Sequence, residues 1–139
     1  MSLPTLDNLV GINKLKAEAR DAGEIGRFIA MATTQLADAR QEGVSLQGRY
    51  TSAYTAAHVT ALAALRWHGY RSENRYIVFQ CLEHTVGWPA QRWRTLAQAH
   101  AARNRAEYEG YFELQERDLD ALIQAAQALL KDVRKLTGM

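Results

Sequence analysis

Between Leu114 and Leu136 the chain places Leu119, Leu122, Ile123, Ala126, Leu129, Leu130, Val133 and Leu136 at intervals of three and four. That spacing gathers them on one stripe of an α-helix and sends the intervening charged residues to the other side. A half-buried strand would alternate with period two, and no segment of this chain does so convincingly. The helical interval recurs through most of the sequence, which predicts an all-α fold: an antiparallel up-and-down helical bundle of four principal helices with shorter additional helices. Short connections between long helices make sequence neighbours antiparallel.

The elements follow from the same periodicity and its punctuation. A weaker first helix is expected from about Leu6 to Ala19, with Leu9, Ile12 and Leu15 on one side, and Gly23 separates it from a second carrying Ile25, Phe28, Ile29, Ala32, Leu36 and Ala39. Gly43 suits a C-terminal stop and Ser45 an N-cap for a third helix over Leu46 to Trp67. "HGYRSEN" reads as a loop in which Gly69 ends one helix and Ser72 or Asn74 caps the next, a short fourth helix from about Arg75 to Thr85. Pro89 suits the first turn of a fifth helix that Gly110 ends, and the closing helix runs from Leu114 to Leu136. Ala53, Ala57, Leu65, Trp93, Leu96, Leu122, Ile123 and Leu130 are the expected interior. Residues 1–23 form an N-terminal helical extension to a bundle over 24–139, one domain in all.

A chain of 139 residues that is 47% hydrophobic, with few glycines and prolines, can bury a core and is not disordered. No apolar run approaches the roughly 20 residues of a membrane span, and Met1-Ser2-Leu3-Pro4 lacks the pattern of a secretory signal, so a soluble cytoplasmic protein is expected. The single cysteine, Cys81, sits in a helix-like segment and reads as a buried thiol rather than a nucleophile. Net charge is only +2, yet residues 66 to 105 hold seven arginines and no lysine against Glu73 and Glu83. Guanidinium groups favour planar contact with phosphate, so this region is either a face for nucleic acid or nucleotide, or a solvated surface balanced by the acidic last third.

Familiar chemical signatures are absent. Bundle di-metal sites use Glu-x-x-His, whereas Glu83 and His84 are adjacent, and His58, His68, His84 and His100 fall in separate segments. No metal or other cofactor is expected. His68 reads as the cationic end of its helix. Phosphate-binding glycine loops and the common hydrolase motifs are missing, and the long helices argue against a helix-turn-helix reader. What stands out is "HAARNRAEYEG", which aligns His100, Arg103, Asn104, Glu107 and Tyr108 along one side of a helix that carries Trp93, Leu96 and Ala97 in its earlier turns. Polar groups on such a stripe need partners or a function.

Taken in order, "YTSAYTAAHVTALAALRWHGYR" and "AARNRAEYEG" resemble the HEPN superfamily of nucleotide- and RNA-associated bundles, over roughly Glu24 to Leu136. The resemblance implies a homodimer, a small nucleotidyltransferase as partner in a toxin–antitoxin-type system, and either RNA or nucleotide binding or metal-independent RNA cleavage through an R-x(4-6)-H motif. The motif arginine falls on Arg103, the following polar residue on Asn104, and the expected histidine on Tyr108. That departure bears on chemistry, because cleavage needs a base for the 2′-hydroxyl and histidine suits that role. A tyrosine ordinarily titrates near ~10, so at neutral pH it donates a hydrogen bond far better than it accepts a proton. His100, one turn before Asn104, is a substitute base on the wrong side of the arginine for the family order. Three readings follow: a binding or regulatory HEPN-like protein using Arg103, Asn104 and Tyr108; a metal-independent endoribonuclease with Arg103 and a non-standard base; or a structural cluster in which Arg103 pairs with Glu107 and Tyr108 closes over the core.

Overall fold

Four long helices carry the fold, and side-chain caps satisfy first-turn amides in three of them. The structure is a computed structural model that describes residues 3–110 and 113–139. A short helix, α1 (Pro4–Gly11), and a two-residue strand, β1 (Lys16–Ala17), precede α2 (Ala22–Ala39), whose N-cap Asp21 accepts the Glu24 amide at 3.1 Å. The helix α3 (Leu46–Trp67) starts at Ser45, whose hydroxyl accepts the Gly48 amide at 3.0 Å. Then come β2 (Tyr70–Arg71), α4 (Arg75–Gln80), α5 (Leu82–Thr85) and α6 (Ala90–Glu109), which ends at Gly110 in the left-handed region, φ 66°. A reciprocal capping box between Gln115 and Asp118 opens α7 (Glu116–Thr137).

The all-α bundle is as the periodicity predicts, with α3 as its centre. This helix packs chiefly against α2 and α7 and meets α4, α5 and α6 as well. Ala53, Ala56, Ala57, Ala61, Ala63 and Ala64 are all buried there, and such small side chains let neighbouring helix axes approach closely. The amphipathic α7 seals the bundle with Leu119, Leu122, Ile123, Ala126, Leu129, Leu130 and Val133, and the eight residues expected inside are all buried. Among the described residues no helix is long and apolar enough to cross a membrane.

The N-terminal segment departs from expectation. Its helix stops at Gly11 rather than Ala19, because Asn13 takes a left-handed conformation (φ 61°) and the Lys14 amide turns back to the Leu9 carbonyl at 2.8 Å. Asparagine tolerates that geometry at a helix end. The chain then runs extended, and β1 pairs antiparallel with β2, Lys16 opposite Arg71 and Ala17 opposite Tyr70, inside the stretch expected to be a loop. The cause is tertiary. Arg66 is 1% exposed, and its guanidinium donates to the carbonyls of Glu18 (2.9 Å), Ala19 (2.6 Å) and Tyr70 (3.4 Å) and to the Glu24 carboxylate (2.6 Å). Pairing with β2 and these bonds to a buried cation hold the segment extended, so tertiary contacts outweigh a weak local helical preference. Ile12, expected on the buried side, is exposed, whereas Leu15 is buried.

Smaller corrections have local reasons. Gly23 does not separate two helices but lies within the first turn of α2. That helix ends at Ala39 and is capped by Arg40 in a right-handed conformation, so Gly43 is not its stop; the Val44 amide closes the following turn on the Gln41 carbonyl at 3.2 Å. The expected fourth helix is divided at Cys81 into α4 and α5, although the bonds from the Cys81 amide to the Ile77 carbonyl and from the Thr85 amide to the Cys81 carbonyl run through the division. The closing helix starts at Glu116, two residues after Leu114, where the capping box forms. His68 does end α3, but not as an exposed cation. It is buried, its Nε2 lies 3.2 Å from the Thr85 carbonyl, and burial pushes its pKa below the ordinary value, which favours the neutral ring.

Candidate functional site

The second half of α6 and the start of α4 enclose a groove of about 480 Å³. His100, Arg103, Asn104, Glu107 and Tyr108 line one side, as their helical spacing predicts, and Glu73, Asn74 and Arg75 line the other. Asn74 caps α4 by accepting the Ile77 amide at 3.1 Å, which fixes where Arg75 leaves the backbone. The buried ring of Tyr54, on α3, joins the two sides. Its Oη lies 3.0 Å from His100 Nδ1 and accepts from Arg75 Nη1 at 3.3 Å. The Arg75 and Arg103 guanidinium carbons sit 5.7 and 5.6 Å from the centre of that ring. His58 and His100 both stack on it, at 6.4 and 5.9 Å between centres.

Both nitrogens of His100 are engaged, since Asn104 Nδ2 lies 3.2 Å from Nε2. With the amide so oriented, Asn104 donates to Nε2, the ring proton is on Nδ1, and Tyr54 Oη receives it; the phenol then keeps its own hydrogen to donate elsewhere. Desolvation first, then the charges of Arg75 and Arg103, lower the His100 pKa. Desolvation followed by Arg75, His100 and Arg103 pushes His58 down to about 4. At neutral pH the two rings are therefore uncharged and the arginines supply the positive charge. Burial raises the Tyr54 pKa, opposed by the Arg75 hydrogen bond and the two arginine charges.

The cations are only partly compensated. Arg103 meets Glu107 at 3.5 Å, as the structural reading expects of an i,i+4 pair, but that carboxylate is 55% exposed and such contacts contribute little. Arg75 forms no ion pair among the described residues. Tyr108 corrects another part of that reading: its side chain does not close over the core but is 83% exposed at the rim. Chemically, the arrangement offers two guanidinium groups, an amide and a phenol to an anion, with both nitrogens of His100 already engaged.

The other polar candidates lie elsewhere. Arg66 and Arg71 are committed to Glu18 and Glu24, and the guanidinium groups of Arg92 and Arg94 lie over Trp88 and Trp93. With Arg105 exposed, the arginine-rich region is thus divided among structure, groove and open surface. Cys81 is buried, and desolvation pushes its thiol up to about 12, so it is an inert packing group. No cluster of three potential metal ligands occurs among the described residues. Sequence periodicity found Arg103, Asn104 and His100 but missed Tyr54, His58 and Arg75; Tyr54 had the spacing of a core residue, and Arg75 was one arginine among seven. No protein-family model matches the chain, and no curated protein is similar enough to count as a match.

Proposed function

We propose that this protein is a HEPN-like bundle that binds a phosphate group of RNA or a nucleotide in the α6 groove. The observation that carries the reading is the convergence of Arg75 and Arg103 on the Tyr54 ring with one long, exposed carboxylate contact between them. Such a pair gains from an anion that can accept from both. Asn104 is placed to orient the group and Tyr108 to donate from the rim. Engagement of both His100 nitrogens favours binding over the endoribonuclease alternative, because a general base needs a free lone pair within reach of the 2′-hydroxyl. The HEPN resemblance extends the proposal to a cytoplasmic homodimer with α6 near its twofold axis, paired with a small nucleotidyltransferase in a toxin–antitoxin-type system.

The test is labelled RNA incubated in chelator with wild type, Arg75→Ala, Arg103→Ala and Tyr108→His. Wild type should bind in a salt-sensitive way without appreciable cleavage, and both arginine variants should lose binding while remaining folded. Tyr108→His, which puts a histidine at the motif position, is the variant in which cleavage should emerge. Fast wild-type cleavage dependent on Arg103 would replace the binding reading with the ribonuclease, and unchanged binding by both arginine variants would reduce the groove to structure.

A further inference from the structure

The groove does not end at α4. Glu73 and Asn74 also line a second depression, about 200 Å³, whose far side is the N-terminal arm with Lys14 and Lys16. Both lysines are exposed, and neither forms an ion pair among the described residues. The arm that carries them is anchored: β1 pairs with β2, Arg66 grips the carbonyls of Glu18 and Ala19, and Arg20 Nε donates to the Trp67 carbonyl at 2.6 Å. Arg71, which also lines the second depression, is neutralised by Glu18 and Glu24, so the available positive charge lies on Lys14 and Lys16 in one depression and on Arg75 and Arg103 in the other.

We propose that the two depressions form one track for single-stranded RNA, with backbone phosphates held by Lys14 and Lys16 at one end and by Arg75 and Arg103 at the other. The inference rests on the phosphate-binding reading of the α6 groove and narrows its ligand from any nucleotide to an oligonucleotide. A mononucleotide has no second phosphate group far enough along a chain to use the arm. The exposed Tyr108 ring in the lining of the α6 groove supplies a face on which an unpaired base can stack, and a duplex has no such base to offer. Lysine suits the arm because a flexible point charge follows a backbone without dictating sequence.

Fluorescence anisotropy with a labelled oligouridylate of roughly 12 nucleotides, a length within the range of single-strand sites, tests this against uridine monophosphate. Lys14→Ala/Lys16→Ala should weaken the oligonucleotide about fivefold or more and flatten the plot of log affinity against log salt by about 0.7 for each phosphate no longer neutralised. Uridine monophosphate binding should not change. Lys14→Glu/Lys16→Glu should deepen the loss, and thermal melts establish that both variants are folded. If the double alanine variant binds the oligonucleotide like wild type while Arg103→Ala does not, the track is overturned and the α6 groove stands. If Arg103→Ala also binds like wild type, the groove reading falls and the track with it. Tighter binding of an RNA duplex, or equal competition by polyglutamate, would overturn the single-strand assignment.

Discussion

Tyr54 Oη on α3 and His100 Nδ1 on α6 lie 3.0 Å apart, across 46 residues of sequence. The contact joins the core to the groove: the ring of Tyr54 is buried against Phe79 and His58, while its hydroxyl meets His100 and Arg75. A tyrosine in this place fills volume with its ring and orders the site with its polar end.

Tyr54→Phe keeps the volume and removes the hydroxyl, leaving His100 Nδ1 and Arg75 without their common partner. We expect a loss of about 1–2 kcal/mol in chemical denaturation and weaker RNA binding, with the helical circular dichroism spectrum retained. A variant as stable as wild type would show that the hydroxyl is not an ordering contact.

Acid should destabilise the fold through His58. Its folded pKa of about 4 is below the ordinary 6.5, so the unfolded chain binds the proton more strongly. The associated stability is fully present above pH 6.5 and is lost as pH falls toward 4; the lowered pKa values of His68 and His100 act in the same direction. Denaturation midpoints measured from about pH 7.5 down to about 4.5 should fall, and His58→Gln should flatten the decline.

Arg66→Ala removes the partner of Glu24 and of three backbone carbonyls, although Arg71 still meets Glu24. The expected cost is about 3–5 kcal/mol, with early proteolytic cleavage between Leu15 and Asp21 as the arm loosens. Arg66→Lys should recover only part of it, since one ammonium cannot reach all these acceptors.

Ala57 is fully buried in α3, on the small-residue surface that lets neighbouring helices approach closely. Ala57→Leu should cost about 1–3 kcal/mol by overpacking, read from thermal or denaturant unfolding. A neutral result would mean that the central interface is looser than its alanines indicate.

Light scattering at concentrations on the order of tens of micromolar tests the proposed homodimer, whose symmetric contact would lie near α6. A dimer mass is expected, and a strictly monomeric mass would remove that part of the proposal without touching the groove.

Local pattern determined the helices of the bundle because an amphipathic helix states its buried face every three or four residues, as Leu119, Leu122, Ile123 and Ala126 do. It also aligned His100, Arg103, Asn104, Glu107 and Tyr108 on one side of α6, since that alignment needs only the helical repeat. Tertiary structure decided what those residues face. Tyr54 and Arg75 reach them from other helices, and no local interval encodes that meeting. The same limit explains the N-terminal arm: a weak helical pattern over Leu6 to Ala19 gives way after Gly11 to an extended segment held by its pairing with β2 and by buried Arg66, a residue 48 positions from Glu18. Periodicity reports which face a helix buries, whereas hydrogen bonds over such separations depend on how the helices pack.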